Sequence, residues 1–155
     1  MNHMTRILFV CLGNICRSPM AEFIFNYMVK QRGLSSHFEA ASAATSQDEL
    51  GNDMYPPAKR KLTQMGIPFS YRAARQIRCN DYEIYDLIIG MDRNNVLSMQ
   101  RFFSGDPEGK ISMLLSRPVA DPWFTGDFDS TYDDLIEGCT ALLDRLSGKN
   151  GGSGK

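Results

Sequence analysis

The fold is decided by the stretch Ile7-Leu8-Phe9-Val10-Cys11-Leu12-Gly13-Asn14-Ile15-Cys16-Arg17-Ser18-Pro19. Its first four residues form a continuous apolar run with β-branched and aromatic side chains, which is typical of a strand buried on both faces of a parallel sheet. Ser18 then offers an N-cap and Pro19 a first helical residue, and apolar side chains recur at helical spacing until Gly33. The stretch therefore predicts a strand, a short loop and a helix.

The rest of the chain repeats this alternation. Apolar patterns predict further strands at 38–42, 87–91 and 111–115. They also predict helices at 57–66, 94–103 and 132–146. Such alternation indicates an α/β fold with a parallel sheet flanked by helices. Sheets of this kind bind ligands beyond the carboxyl ends of their strands, so the loop after the first strand is the first candidate site.

Composition limits both the size of the protein and its partners. The chain has 155 residues, enough for one domain, which we assign to residues 1–147, followed by a Gly-rich tail at 148–155 that we expect to be disordered. Lys and Arg number 17 against 18 Asp and Glu, so no basic arm is present for nucleic acid or an anionic membrane. We recognise neither a secretory signal nor an apolar run near the ~20 residues of a membrane helix, and we expect a cytoplasmic protein.

The chain contains four cysteines, Cys11, Cys16, Cys79 and Cys139. In a reducing compartment such residues are catalytic, metal-binding or buried rather than paired in a disulfide framework. Zinc is not expected, because Cys11 and Cys16 have no neighbouring cluster of Cys or His and the two histidines stand alone. Cys139 falls on the apolar face of the last helix and is predicted to be a core residue.

The loop after the first strand places five residues between Cys11 and Arg17. A loop of this length that closes onto a helix turns backbone N–H groups inward and forms a nest suited to phosphate. The candidate phosphate-binding residues are Leu12, Gly13, Asn14, Ile15, Cys16, Arg17 and Ser18. Arg17 adds a bidentate fork for two oxygens, and Gly13 and Asn14 tolerate the left-handed backbone that such a turn needs.

Cys11 lies at the base of this predicted nest. The donors that bind an anion also favour the thiolate over the thiol, so Cys11 is predicted to be a nucleophile, with Ser18 as a further donor to its sulfur. In the alternative interpretation, Cys11 merely ends a buried strand and Arg17 is an exposed residue at the helix start. The buried strand before the loop and the helix after it favour the catalytic interpretation.

Asp121 is the candidate general acid. A thiolate that attacks phosphorus must expel an alkoxide or phenoxide, and protonation of that oxygen accelerates the step. Asp121 lies after the fourth predicted strand and precedes Pro122, Trp123 and Phe124, whose two aromatic side chains could wall a slot for a flat substrate. Alternatively, this segment is a capping turn whose aromatic residues lie in the core.

Together these residues resemble the low-molecular-weight protein tyrosine phosphatases. The resemblance rests on residues 11–19 and on Asp121-Pro122-Trp123, and it extends from Ile7 to Leu146. It includes the segments Ser42-Ala43-Ala44-Thr45-Ser46, Ala74-Arg75-Gln76 and Met91-Asp92. It implies a single doubly wound α/β domain with a four-stranded parallel sheet, a phosphate-binding loop after the first strand, and neither a metal nor another cofactor.

The resemblance also implies an activity. Cys11 would be the nucleophile that accepts the phosphoryl group, Arg17 would bind its oxygens, and Asp121 would protonate the leaving phenol and then activate the hydrolytic water. The implied substrate is phosphotyrosine in a protein or peptide, and the product is inorganic phosphate. We expect a monomer or weak dimer.

Further roles follow from the same resemblance. Asn14, Ser18 and Ser42 would hold the shape of the loop. The walls of the substrate slot would be Leu12, Ile15, Trp123 and Phe124. Cys16 corresponds to a second thiol that captures oxidised Cys11 as a reversible disulfide.

The chain departs from the family pattern in three ways. Arg72 stands where many members carry a histidine, and we hypothesise that it pairs with Asp92 and so supports the loop. Asp48 occupies a rim position where vertebrate members often have an aromatic residue, and its carboxylate should disfavour acidic phosphopeptides. Trp123 and Phe124 stand where some members have tyrosines, so they offer no site for phosphorylation.

Two other activities remain as alternatives. An arsenate reductase on the same scaffold would need further thiols, and Cys79 is the candidate in the middle of the chain. A protein-arginine phosphatase carries threonine at the place of Ile15, whereas an apolar Ile15 with an aromatic wall favours an aryl phosphate. A non-catalytic phosphate-binding module is disfavoured, because binding alone needs neither Cys11 nor Asp121.

Overall fold

The computed structural model describes residues 3–148, so all of the predicted Gly-rich tail except Gly148 lies outside the described residues. The elements in chain order are β1 (Thr5–Cys11), α1 (Arg17–Gln31), β2 (Phe38–Ala44), α2 (Pro56–Gln64), α3 (Asp81–Ile84), β3 (Leu87–Gly90), α4 (Arg93–Phe102), β4 (Ile111–Met113), α5 (Pro122–Thr125) and α6 (Phe128–Leu146). The strands are parallel, and their order across the sheet is β2-β1-β3-β4. The predicted four-stranded parallel α/β fold is confirmed.

The side chains of β1 alternate between two cores, one on each face of the sheet. Ile7 and Phe9 pack in a cluster with residues of α1 and α6, whereas Leu8 and Val10 pack in a cluster that contains Met99 of α4. The side chains of these four residues are fully buried. A strand with both faces covered has no position for a polar side chain, which is why the run from Ile7 to Val10 is apolar throughout.

The topology places the end of β1 at a switch point of the sheet. From β1 the chain passes through α1 to β2 on one side, and it then returns to β3 on the other side of β1. Connections leave in opposite directions at such a point, and a crevice opens beyond the carboxyl ends of the two strands. Cys11 is the last residue of β1. The fold therefore places the predicted nucleophile, Cys11, at this crevice.

The boundaries of two helices differ from prediction for identifiable reasons. Ser18 is not the N-cap of α1: the helix begins at Arg17 with Cys16 in the cap position, and the Ser18 hydroxyl contacts the Cys11 sulfur instead. Helix α6 begins at Phe128 rather than at 132, because Asp127 caps it by accepting a hydrogen bond from the Ser130 backbone. The helices α3 and α5 were not predicted, since a single turn has no apolar period.

Candidate active site

The loop after β1 forms part of a cavity of about 150 Å³. The cavity is lined by Cys11, Leu12, Gly13, Ile15, Cys16, Arg17, Asp48, Glu49, Asp121, Trp123 and Phe124. These residues come from the end of β1, the start of α1, the segment after β2 and the segment around α5. The structure thus brings together the predicted nucleophile, arginine, acid and walls from distant parts of the chain.

The sulfur of Cys11 is surrounded by hydrogen-bond donors. The backbone N–H groups of Asn14 and Ser18 donate to Sγ over 3.3 and 3.4 Å, and the Ser18 hydroxyl oxygen lies 3.1 Å from it. The Cys11 residue is 3% exposed. Backbone N–H groups that converge on one point stabilise a negative charge there, so the loop around Cys11 is built to hold an anion.

Asn14 holds the loop in its turn. It has a left-handed backbone, with φ of 60°, and its side chain is fully buried. Its Nδ2 donates to the hydroxyl oxygens of Ser18 and Ser42 over 2.7 and 3.0 Å. These contacts join the three residues that were predicted to support the loop.

Gly13 does not share the left-handed conformation, so this part of the prediction is wrong. The described residues with positive φ include Asn14 but not Gly13. A Cβ added at Gly13 would lie 3.4 Å from Cγ of Glu49. That is an ordinary van der Waals distance, and Asn14 is the residue of this loop that takes the left-handed position.

Arg17 is held by three acceptors. Its Nη1 donates to Oδ2 of Asp92 and to the carbonyl oxygen of Val119, both over 2.9 Å, and its Nη2 donates to Oδ2 of Asp121 over 3.4 Å. Burial acts to lower the pKa of Arg17, but the negative charges of Cys11, Asp92 and Asp121 outweigh it and raise the pKa. The side chain is 4% exposed, so the interpretation of Arg17 as an exposed residue is wrong.

Asp121 faces Arg17 and also begins helix α5. Its Oδ1 accepts a hydrogen bond from the Trp123 backbone over 3.0 Å, so the predicted capping turn exists alongside the contact with Arg17. Trp123 and Phe124 are 49% and 76% exposed at the cavity, so placing these aromatic residues in the core is wrong. The Trp123 ring packs against Tyr55, with 4.7 Å between centroids.

The hypothesised pair between Arg72 and Asp92 is wrong. Nη2 of Arg72 donates to the backbone oxygen and to Oδ1 of Asn14, both over 2.5 Å. Asp92 instead accepts from the Asn95 backbone at Oδ1 and from Arg17 at Oδ2. Arg72 and Asp92 therefore both reach the loop, one through Asn14 and the other through Arg17.

The other cysteines lie in three different environments. Cys16 is buried and lines the same cavity as Cys11, and burial together with the charges of Cys11 and Asp121 raises the pKa of its thiol. Cys139 is fully buried in the core shared by α1 and α6, as predicted. Cys79 is exposed and lines a separate groove beside Phe103. All four cysteines are unpaired.

Four residues at the site were missed by the sequence analysis. Glu49 lines the cavity beside Asp48, Tyr55 packs on Trp123, and Val119 offers its carbonyl oxygen to Arg17. Glu22 accepts a hydrogen bond from the Ser42 hydroxyl over 2.6 Å. Only Glu49 had a signal in the sequence, its position next to Asp48, because the other contacts join segments that are far apart in the chain.

Within residues 3–148, no cluster of three or more His, Cys, Asp or Glu side chains has an arrangement that could hold a metal ion. In the same part of the chain, no helix combines the length and apolar character that a membrane crossing requires.

Comparison with known proteins identifies the family. The family model described as low molecular weight phosphotyrosine protein phosphatase matches residues 6–151. The human low molecular weight phosphotyrosine protein phosphatase is 37% identical over 152 residues, covering 90% of this chain and 94% of the human protein. The crystal structure of SP-PTP, a low molecular weight protein tyrosine phosphatase from Streptococcus pyogenes, is 38% identical with a TM-score of 0.87, covering 92% of this chain and 93% of that one. The structure of YfkJ from Bacillus subtilis is 34% identical with a TM-score of 0.92, covering 96% of this chain and 98% of that one. The chain therefore belongs to the low molecular weight phosphotyrosine protein phosphatase family, whose members are hydrolases.

Proposed function

We propose that this protein hydrolyses phosphotyrosine in proteins through a phosphocysteine intermediate, with Cys11 as nucleophile, Arg17 as phosphate ligand and Asp121 as general acid and base. The observation that carries the proposal is the cavity in which Cys11 Sγ receives two backbone N–H groups while Arg17 and Asp121 are paired beside it. The sulfur supplies the nucleophile and the loop supplies positive charge, so the reaction requires no cofactor. The catalytic unit in this proposal is residues 1–147.

In the first step, the Cys11 thiolate attacks phosphorus. The S–P bond forms while the bond to the tyrosine oxygen breaks, and the loop N–H groups of residues 12–18 together with Arg17 bind the three non-bridging oxygens. Asp92 and Val119 hold Nη1 of Arg17 over 2.9 Å each. The guanidinium is thus oriented before the substrate arrives, which removes an entropic cost from the reaction.

Asp121 acts on both sides of the intermediate. It gives its proton to the leaving phenolate, and it then takes a proton from the water that attacks phosphocysteine and releases inorganic phosphate. Its contact with Arg17 is 3.4 Å, longer than the 2.9 Å contact between Arg17 and Asp92. The phosphate oxygens replace the weaker partner at Nη2, which frees Asp121 for proton transfer.

The walls of the cavity support an aryl phosphate as substrate. Leu12, Trp123 and Phe124 are exposed apolar side chains, and together with Ile15 they bracket the space above the sulfur. Ile15 has no hydroxyl with which to orient a guanidine group, so we favour phosphotyrosine over phosphoarginine. Asp48 lies on the rim, and we propose that its charge disfavours acidic peptides.

We assign the support of the loop to Asn14, Ser18, Ser42, Arg72 and Asp92. The Asn14 amide joins the first three residues through its hydrogen bonds to Ser18 and Ser42. Arg72 donates a hydrogen bond to Asn14, and Asp92 accepts one from Arg17. These contacts fix the backbone of the loop, so its N–H groups already point toward the phosphate site before the substrate binds.

We also propose that Cys16 protects Cys11 from irreversible oxidation. Peroxide converts the Cys11 thiolate to a sulfenic acid, and the Cys16 thiol then attacks this sulfur, forming a disulfide and releasing water. Both cysteines line one cavity, which supports the pairing. A reducing compartment would restore the thiols, and we therefore propose a cytoplasmic location. We propose a monomer or weak dimer as the oligomeric state.

A rate comparison across four substrates tests the main proposal. We expect kcat/KM to be highest for phosphotyrosine peptides, lower for phosphoarginine and phosphoserine peptides, and thiol-dependent arsenate reduction to be absent. Cys11→Ser should abolish turnover, and Asp121→Ala should slow phenyl phosphate about 10²–10⁴-fold but p-nitrophenyl phosphate much less. Equal losses with both leaving groups would remove Asp121 from the acid role, and turnover by Cys11→Ser would contradict the phosphocysteine intermediate.

A further inference from the structure

Glu22 is a charged residue of α1 that the proposed mechanism does not use. Its Oε1 accepts the hydroxyl hydrogen of Ser42 over 2.6 Å, and the residue is only partly exposed. Burial raises the pKa of Glu22, while the Ser42 hydrogen bond and the charges of Arg72 and Arg75 act against this rise. Withdrawing a carboxylate from water costs free energy unless hydrogen bonds and opposite charges compensate for the lost hydration.

The hydrogen bonds between Glu22 and Cys11 form a continuous chain with defined donors. Ser42 has one hydroxyl hydrogen and gives it to Glu22, so its oxygen is free to accept from Nδ2 of Asn14 over 3.0 Å. The second Nδ2 hydrogen of Asn14 goes to the Ser18 oxygen over 2.7 Å. Ser18 then contacts the Cys11 sulfur over 3.1 Å.

The other side of the Asn14 amide is fixed by donors. Its Oδ1 accepts from Nη2 of Arg72 over 2.5 Å and from the backbone N–H of Arg75 over 3.2 Å. Neither group can accept a hydrogen bond, so the oxygen must face them and the NH₂ must face Ser18 and Ser42. The amide therefore lies between a cation at its oxygen end and a carboxylate beyond its nitrogen end.

The orientation of this amide decides what Ser18 does with its hydrogen. While Ser18 accepts from Asn14, its hydroxyl hydrogen has two acceptors, the Cys11 sulfur at 3.1 Å and the Ala43 carbonyl at 3.4 Å. The shorter contact and the charge of a thiolate favour the sulfur. If the amide turned over, Oδ1 would face Ser18 and take that hydrogen away from the sulfur.

We propose that Glu22 is a positioning residue: with Arg72 it forms a charge couple that locks the Asn14 amide, so that Ser18 donates its hydrogen bond to the Cys11 thiolate. This inference rests on the proposed function, in which Cys11 reacts as a thiolate. Glu22 touches neither the substrate nor the sulfur and acts through Ser42, Asn14 and Ser18.

The direction of the effect separates this role from a simple charge effect. Removal of a nearby negative charge through space would favour the thiolate, whereas loss of the Ser18 hydrogen bond disfavours it. The other ionisable groups that interact with the charge of Cys11 are Arg17, Cys16 and Arg72, while Asp121 lines the same cavity. Glu22 itself interacts with Arg72 and Arg75. All of these are retained in a Glu22→Gln variant.

Alkylation of Cys11 by iodoacetamide as a function of pH tests the proposal without relying on turnover. The experiment uses the full chain in a Cys79→Ser background, with the modified cysteine assigned by peptide mass. We expect Glu22→Gln to slow alkylation on the acidic limb about three- to tenfold and to move that limb, and the acidic limb of kcat/KM, to higher pH. The matched control is Glu39→Gln, at an exposed glutamate of β2, which should leave both profiles unchanged.

A second variant separates the hydrogen-bond chain from a loss of folding. In a Ser18→Ala background the hydroxyl is absent, so Glu22→Gln should cause no further change in alkylation. A wild-type profile in Glu22→Gln, a shift to lower pH, or an undiminished effect in the Ser18→Ala background would each overturn the proposal. Failure of the proposed function would instead show as absent phosphotyrosine turnover in the wild-type protein, whatever the alkylation profile.

Discussion

Arg17 and Asp92 are joined by a 2.9 Å contact between Nη1 and Oδ2, while the other oxygen of the same carboxylate caps helix α4 by accepting from the Asn95 backbone over 2.8 Å. One aspartate thus connects the arginine of the phosphate site to the N-terminus of a helix on the opposite face of the sheet. Its two oxygens have separable tasks, one electrostatic and one structural.

The first prediction separates these two tasks of Asp92. Asn retains a cap oxygen but loses the charge, so Asp92→Asn should lower kcat/KM for an aryl phosphate about tenfold with little change in melting temperature. Asp92→Ala loses the cap as well and should cost about 1 kcal/mol more in the free energy of unfolding. Urea unfolding and initial rates measure both quantities. Equal stability of the Asn and Ala variants would contradict the capping role.

The second prediction concerns inorganic phosphate as a competitive inhibitor. Asp121 places a negative charge 3.4 Å from Nη2 of Arg17, where a phosphate oxygen would bind. We expect Asp121→Asn to bind phosphate about two- to fivefold more tightly while turning over aryl esters more slowly, because the pair is partly exposed and its attraction is modest. Inhibition constants at constant ionic strength provide the measurement. Weaker phosphate binding in the variant would show that Asp121 does not compete for Arg17.

The third prediction separates the backbone of Asn14 from its side chain. Asn14→Gly removes both the amide and the Cβ, whereas Asn14→Ala keeps the Cβ in the left-handed conformation without the polar side chain that compensates for it, so the Ala variant should be about 1–2 kcal/mol less stable than the Gly variant. Both variants should lose most activity, because Ser18, Ser42 and Arg72 lose a partner. Only the Ala variant should show the additional loss of stability in thermal unfolding. An active Gly variant would mean that the turn alone is sufficient.

The fourth prediction concerns charge selection at the rim. Asp48 is exposed and lines the cavity. Asp48→Asn should raise kcat/KM for acidic phosphotyrosine peptides about two- to fivefold more than for neutral peptides, and the difference should shrink as salt is added. Glu39→Gln, near the opposite end of the sheet, serves as the control and should not change the ratio. An equal gain for both peptide classes would refute charge selection.

Much of the fold could be predicted because its signals are local. The apolar run of Ile7 to Val10 is visible in the sequence since a strand buried on both faces must be apolar throughout. Helix ends were less predictable, because capping competes with other uses of the same side chain. Ser18 has the chemistry of an N-cap, yet its hydroxyl contacts the Cys11 sulfur.

Within the site, the sequence indicated the residue types but not their partners. Arg72 was expected to meet Asp92, but both oxygens of Asp92 are occupied by Arg17 and Asn95, and Arg72 binds Asn14. Such pairings depend on which side chains the folded chain brings within reach of one another. No spacing rule contains that information.

The sequence by itself determined the parallel α/β class, the position of a phosphate loop between a buried strand and a helix, and the candidate nucleophile, because each depends on neighbouring residues. Only the tertiary structure decided that Asp121 meets Arg17, that Asp92 and Val119 orient that arginine, and that Glu22 reaches Cys11 through three side chains. These contacts join segments as far apart as residues 17 and 121. They form only when β1 and the strands beside it bring the carboxyl ends of the sheet together at the switch point.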